Sequence, residues 1–262
     1  MVEKSIKRFY MFLIFLFLYA PIIVLIVFSF NDSRLQGSWD GFTLNWYREL
    51  FKSREIMKSL YYTISIALLS SVIATIIGTL SAIGIYNMKS YKKKILLNVN
   101  YLPVLNPDIV TGIALMTLFV FVKVRLGYVT LLLAHITFNI PYVILAVLPK
   151  LKQLPKDMTE AALDLGATPF YAFRKVMLPE ISPGIITGAL IAFTLSIDDF
   201  VISFFTTGSG ISNLSITIYS MARRGIDPKI NALSTLMFLS VLILMIIINK
   251  RTNKDFKRKD VY

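Results

Sequence analysis

Six apolar runs limit what this chain can become. Residues Phe9–Phe30, Ser59–Tyr86, Ile95–Phe121, Tyr128–Leu148, Pro183–Thr206 and Asn231–Asn249 carry no lysine or arginine. Each is close to or beyond the ~20 residues that a helix needs to cross a bilayer. Backbone polar groups inside a membrane must pair within their own segment, so such runs read as helices. The expectation is an all-α membrane protein with six transmembrane helices. Composition agrees: 56% of the 262 residues are hydrophobic, only 16% are charged, and the mean hydropathy is +0.67. A soluble fold of this length needs more charged surface.

The net charge of +13 arises between the runs, not along a basic stripe interleaved with stacking aromatics. That arrangement argues against nucleic-acid binding and serves topology instead. With the N-terminus in the cytoplasm, inner segments hold 18 of the 28 basic residues and outer segments hold 10. The positive-inside rule therefore places both termini in the cytoplasm. The first run follows Lys4, Lys7 and Arg8 like a signal peptide, but it is too long and lacks a small-residue cleavage site, so it reads as a retained anchor. Three parts follow: an anchor helix with an outer loop (1–58), a membrane core (59–250) containing a cytoplasmic loop (150–182), and a basic tail (251–262). Trp39 and Trp46 fall in the outer loop, where interfacial aromatics are expected. Cysteine is absent, which removes disulfides and thiolate metal sites.

Three carboxylates lie inside the runs: Asp108, Asp198 and Asp199. An ionised Asp at a helix centre costs ~2.5–3.5 kcal/mol on insertion scales, so such residues normally face a polar pathway or a partner. On a continuous helix Asp198 shares a face with Thr194, and Asp199 with Ser196 and Ser203. Both faces are partly polar, and the pattern does not choose between them. Asp108 follows Asn106-Pro107. Pro107 removes a backbone donor, and Asp108 can cap a restarted half-helix. That run is either a kinked packing helix or a break that lines a pathway. His135, the single histidine, has no ligand cluster around it and reads as a buried hydrogen-bonding residue.

The stretch Leu154–Pro183 is long for an inter-span connection. Asp157 and Glu160 have capping-box spacing, and Gly166 suits the left-handed end of a short helix. Thr168 and Pro169 suit the start of a second helix, which Pro179 is expected to close. The prediction is a helix–turn–helix along the membrane surface, with small alanines exposed for docking.

Here the sequence resembles a known family. Glu160-Ala161-Ala162, then Gly166, then Leu178-Pro179, is similar to the EAA loop of ABC-importer permeases, with Val176 where the family usually has Ile. The resemblance implies a type I importer permease fold in a bacterial inner membrane, with this loop docking on an ATPase subunit. GFTLNWYRELF (41–51), LPVLNPDIVTGIAL (102–115), SIDDFVISFFTTG (196–208) and IYSMARRGIDPKINALSTL (218–236) resemble the permeases of spermidine/putrescine importers. That implies a second permease, two ATPase subunits and an external polyamine-binding protein as partners, besides membrane lipid. Carboxylates complement the ammonium groups of such a cargo, so Asp198, Asp199 and Asp108 are the expected path residues. At least one of the adjacent pair lines the path, the alternative being that one of them hydrogen-bonds to a neighbouring helix and only the other meets substrate. Phe200 and Tyr219 would hold methylene stems and make cation–π contacts.

Other functions fit less well. A gradient-driven transporter would use the acids but leave the Glu160–Pro179 loop unexplained. A permease for anions would place bases along its spans. An enzyme would need a motif such as GxSxG or HExxH, and neither occurs. The GxxxxGK[ST] phosphate loop is missing too, so no cofactor is expected in this chain and ATP would bind to its partners.

Overall fold

The computed structural model describes residues 2–33, 38–225, 227–240 and 242–243. Among these the fold is all-helical apart from one bridge pair, Asn31 with Phe42. The chain divides into two compact units, 58–217 and 1–57 with 218–262.

In the second of these, helix α1 (Val2–Phe28) is an apolar rod whose spanning portion has no buried residue. The loop after it is organised around Asn31. The Asn31 carboxamide donates to the Ser38 carbonyl at 2.6 Å and accepts from the Asp40 and Ser33 amides. Helix α2 (Asn45–Lys52) then turns Trp46 inward, where its indole N–H donates to the Asn31 carbonyl at 2.7 Å. Trp46 is thus 4% exposed, a core anchor and not the interfacial residue that its loop position suggests; Trp39 is exposed. A buried indole needs a partner for its N–H, and Asn31 supplies one. In the same unit Lys229 pairs with Asp227 at 3.3 Å and with Glu49 at 3.8 Å. Residues 229–240 are helical, as the start of the expected sixth span requires. The rest of that span, apart from residues 242–243, and the basic tail 251–262 lie outside the described residues.

The 58–217 unit holds most of α3 (Arg54–Tyr86), then α4 (Ser90–Leu105), α5 (Asp108–Phe121), α6 (Tyr128–Gln153), α7 (Lys156–Asp164), α8 (Pro169–Ala172), a π-helical turn (Phe173–Met177), α9 (Leu178–Asp198), α10 (Val201–Thr206) and the start of α11 (Leu214–Arg224). Its centre is the α6–α9 pair. Gly184, Gly188 and Ala192 are buried one turn apart on α9. A methyl group at Gly188 would meet Val143 at 3.2 Å, and one at Gly184 would meet the Ala146 carbonyl at 3.0 Å. Small residues spaced by four let membrane helices approach closely, where packing replaces the hydrophobic effect. Val143, Val147, Leu151 and Ile181 fill this core.

Among the described residues four helices are long and apolar enough to cross a membrane, and α4 with α5 forms a fifth if that bent pair is one span. The third run breaks where Pro107 predicted, with a bend of 104°. Asp108 opens α5 as its first residue with Pro107 at the cap, so it does not cap the half-helix itself.

Two expectations about the 154–183 stretch are corrected. Helix α7 starts at Lys156 behind Pro155, so Asp157 sits inside its first turn and not at the cap. Pro155 forces Leu154 into extended backbone (ψ 133°), which ends α6 and lets the next helix begin at once. Pro179 does not close a surface helix. The chain stays helical from Pro169 to Asp198, because the π turn over Phe173–Met177 changes the hydrogen-bond register ahead of the proline and leaves Pro179 in the first turn of α9, where a missing N–H costs little.

Candidate functional site

The fifth apolar run is not one helix. Helix α9 stops at Asp198, Asp199 is extended (φ −60°, ψ 123°), and α10 restarts at Val201. The two acids therefore sit on a break, and the helical-wheel comparison made from the sequence does not apply to them. Their environments differ sharply. The Asp199 side chain is 8% exposed and accepts from the Ser203 amide at 2.7 Å and the Ile202 amide at 3.2 Å. His135 Nε2 lies 3.5 Å from its Oδ2 and 3.0 Å from Ser203 Oγ. Asn213 closes the arrangement: its amide donates to the Asp199 carbonyl at 2.9 Å and to Ser203 Oγ at 2.8 Å. The Asn213 carboxamide oxygen accepts from the Ile216 amide at 3.0 Å. Asp198, by contrast, is exposed and forms no ion pair among the described residues; its carbonyl accepts from Ser215 Oγ at 3.3 Å.

A second buried polar row supports the end of α9. Ser196 Oγ is 3.0 Å from Ser70 Oγ and accepts from Asn139 Nδ2 at 2.8 Å. His135 and Asn139 lie one turn apart on α6, and Ser196 and Ser203 flank the break. Broken helices persist in a membrane only when other groups satisfy the freed backbone; here the Asp199 carboxylate accepts from the Ile202 and Ser203 amides, and Asn213 and Ser215 donate to the Asp199 and Asp198 carbonyls. Asn213 and Asn139 carry no mark in the sequence, and Ser203 stands out there only as sharing a helical face with Asp199.

Among the other expected path residues, Phe200 is half-buried with its ring 5.5 Å from that of Phe204. Asp108 is exposed at the head of α5. That helix packs directly on α10: a methyl group at Gly112 would meet Phe205 at 3.0 Å and Ile202 at 3.5 Å. Tyr219 belongs to the other unit, 44% exposed, with the Arg223 guanidinium 5.9 Å from its ring.

The loop residues form a separate group. Gly166 adopts φ +86°, its amide donates to the Leu163 carbonyl, and the Ala167 amide donates to the Ala162 carbonyl. This paired closure ends α7. Thr168 then caps α8, accepting from the Tyr171 amide at 3.3 Å with Pro169 first in the helix. Glu160 and Ala161 are exposed, Ala162 is half-buried, and Leu165 is 89% exposed at the tip. Ala162, Leu165, Gly166, Ala167, Thr168 and Tyr171 line one open hollow. Leu178 is half-buried and Pro179 exposed where the π turn meets α9.

Residues 74–257 match the family model described as binding-protein-dependent transport system inner membrane component. The spermidine/putrescine transport system permease protein PotC of Haemophilus influenzae is 36% identical over 95% of this chain and 97% of its own length. The putrescine transport system permease protein PotI of Escherichia coli is 38% identical over 88% of this chain and 84% of its own. Among solved structures, a chain of a bacterial ABC transporter that imports the acidic polysaccharide alginate shares the fold, with TM-score 0.70 and 17% identity over 96% and 97% of the two chains.

Proposed function

We infer function from one premise: this chain belongs to the family of binding-protein-dependent transport system inner membrane components. It is a multi-pass membrane protein of that family, and we propose that it is the permease subunit of an ATP-driven polyamine importer. The observation that carries the cargo assignment is Asp198. It is an exposed carboxylate at a helix break, with no ion pair among the described residues, inside a run with no lysine or arginine. A cation with several ammonium groups complements such a site, and relatives named as spermidine/putrescine and putrescine permeases support that choice.

In this reading Asp198 meets the cargo, with Asp108 and Phe200 along the path; the Tyr219 ring, in the other unit, is a separate aromatic candidate for holding methylene stems. Asp199 holds the break in shape through His135, Ser203 and Asn213. The core 59–250 forms the path with a second permease. The loop 150–182 faces the cytoplasm, as do both termini. Its Glu160, Ala161, Ala162, Gly166, Leu178 and Pro179 segment docks on one of two ATPase subunits. ATP binding falls to those subunits, since this sequence lacks a phosphate-binding loop. The outer loop 31–58, braced at Asn31 and Trp46, receives an external polyamine-binding protein through mixed charges suited to reversible docking.

The test is substitution of each acid in an assembled, inserted complex. Asp198→Asn should lower putrescine or spermidine uptake about tenfold or more while basal ATP hydrolysis persists, as loss of one charge-assisted contact predicts. Wild-type uptake by both Asp198→Asn and Asp199→Asn, singly and together, would refute the carboxylate path and leave the permease assignment standing.

A further inference from the structure

We propose that the corner between α3 and α4 holds an anionic phospholipid, its headgroup among Lys89, Lys92 and Lys94 and an acyl chain along Ile95, Val99 and Leu102. Four lysines fall within residues 89–94, and no Asp or Glu occurs between Glu55 and Asp108. One of the four is committed: Lys93 Nζ donates to the Tyr86 carbonyl at 3.1 Å and lies 5.0 Å from the Tyr86 ring. That contact ties the start of α4 to the end of α3, a helix apolar and long enough to cross the membrane. Lys89, Lys92 and Lys94 are left exposed, with no ion pair among the described residues.

The helix turns the inner side of this corner to the core through Lys93, Leu97 and Asn100, none of which is fully exposed. Its opposite side runs Tyr91, Ile95, Val99 and Leu102, which are 78%, 45%, 54% and 56% exposed. At 1.5 Å per residue the stretch from Tyr91 to Leu102 is about 16 Å long, close to the ~15 Å of one leaflet's hydrocarbon. Lys92 and Lys94 stand on either flank of the start of that stripe, about 100° from the inner side in each direction. Positive charge at one end and a leaflet-length apolar track beyond it match a phospholipid with a negative headgroup. Basic clusters at the end of a membrane helix attract such lipids. A helix that ends at the membrane surface with an exposed apolar side presents that side to lipid, and the proposal is independent of the cargo and of the path.

The chain has no cysteine, so a single Asn98→Cys label beside the stripe reports on it cleanly. The complete transporter would be placed in nanodiscs of phosphatidylcholine containing either doxyl-labelled phosphatidylglycerol or doxyl-labelled phosphatidylcholine at equal mole fraction. Quenching by the anionic lipid should exceed that by the neutral one about fivefold, the enrichment that one basic side chain supplies near an anionic surface. The Lys89→Gln/Lys92→Gln/Lys94→Gln variant should abolish the preference, and the matching arginine variant should keep it. Equal quenching in the unsubstituted lysine corner would mean ordinary boundary lipid and would overturn the proposal. Absence of quenching by either lipid would mean that a partner subunit covers the corner, and would overturn it as well. Displacement of the anionic lipid by inorganic phosphate would also count against it, since the apolar track would then have no role.

Discussion

His135 Nε2 lies 3.5 Å from Asp199 Oδ2, with the histidine side chain 2% and the aspartate side chain 8% exposed. The chain's single histidine is thereby joined to one of its three intramembrane acids, while the adjacent acid, Asp198, stays open. The pair makes Asp199 part of the framework of the break. His135→Leu has nearly the same volume and removes the polar contact to both Asp199 and Ser203. Two amide bonds to Asp199 survive, so the expected cost is about 1–3 kcal/mol. It should appear as a lower melting temperature of the purified complex. An unchanged melting curve would show that the contact contributes nothing.

Asn213 bonds to both sides of the break. Asn213→Leu should leave the Asp199 carbonyl, the Ser203 hydroxyl and the Ile216 amide each one partner short, again at about 1–3 kcal/mol. If the break positions Asp198, the variant should also raise the substrate concentration for half-maximal uptake, and that increase should vanish in an Asp198→Asn background. Additive effects of the two changes would mean that Asn213 acts on stability alone.

Much of this was legible in advance, for stated physical reasons. Apolar length gave the helices, and Pro107 gave the bend, because a ring without an N–H must interrupt a hydrogen-bond ladder. Gly166, Thr168 and Pro169 gave the turn of the loop, since each residue type suits its backbone position. The break at Asp198–Asp199 was not legible as a break: no proline or glycine marks it, and it persists because the Asp199 carboxylate takes two amides of the next helix while Asn213, fourteen residues on, donates to the Asp199 carbonyl. Pro179 misled in the opposite direction. A local rule predicted a stop, and the π turn before it allowed continuation. Trp46 misled because a loop residue can be buried once the loop folds on Asn31.

Close approach of α6 and α9 depends on the absence of side chains at the contact. Gly188→Val would place new atoms against Val143, where even a first methyl group comes within 3.2 Å. Overpacking of this kind costs about 1–3 kcal/mol. Recovery of folded protein after detergent extraction should fall. Gly84→Val, at a position with nothing within 4 Å, should not lower it. Equal recovery from both variants would contradict the packing account.

Gly166 has open space around it but a backbone angle of φ +86°. Gly166→Leu therefore strains the turn by about 1–2 kcal/mol without a clash. Membrane insertion should be normal, while binding-protein-stimulated ATP hydrolysis and uptake become uncoupled. Normal uptake by this variant would weigh heavily against docking of the loop on an ATPase subunit.

The central claim is that this chain carries polyamines across a membrane at the expense of ATP. The most direct measurement is uptake of radiolabelled putrescine and spermidine by proteoliposomes holding the chain, its partner permease, the ATPase subunits and the external binding protein. The account predicts uptake that requires enclosed ATP, persists when the membrane potential is collapsed, and falls about tenfold or more with Asp198→Asn. Uptake that follows the membrane potential without ATP, or no polyamine uptake by an assembly that hydrolyses ATP and transports another solute, would contradict it.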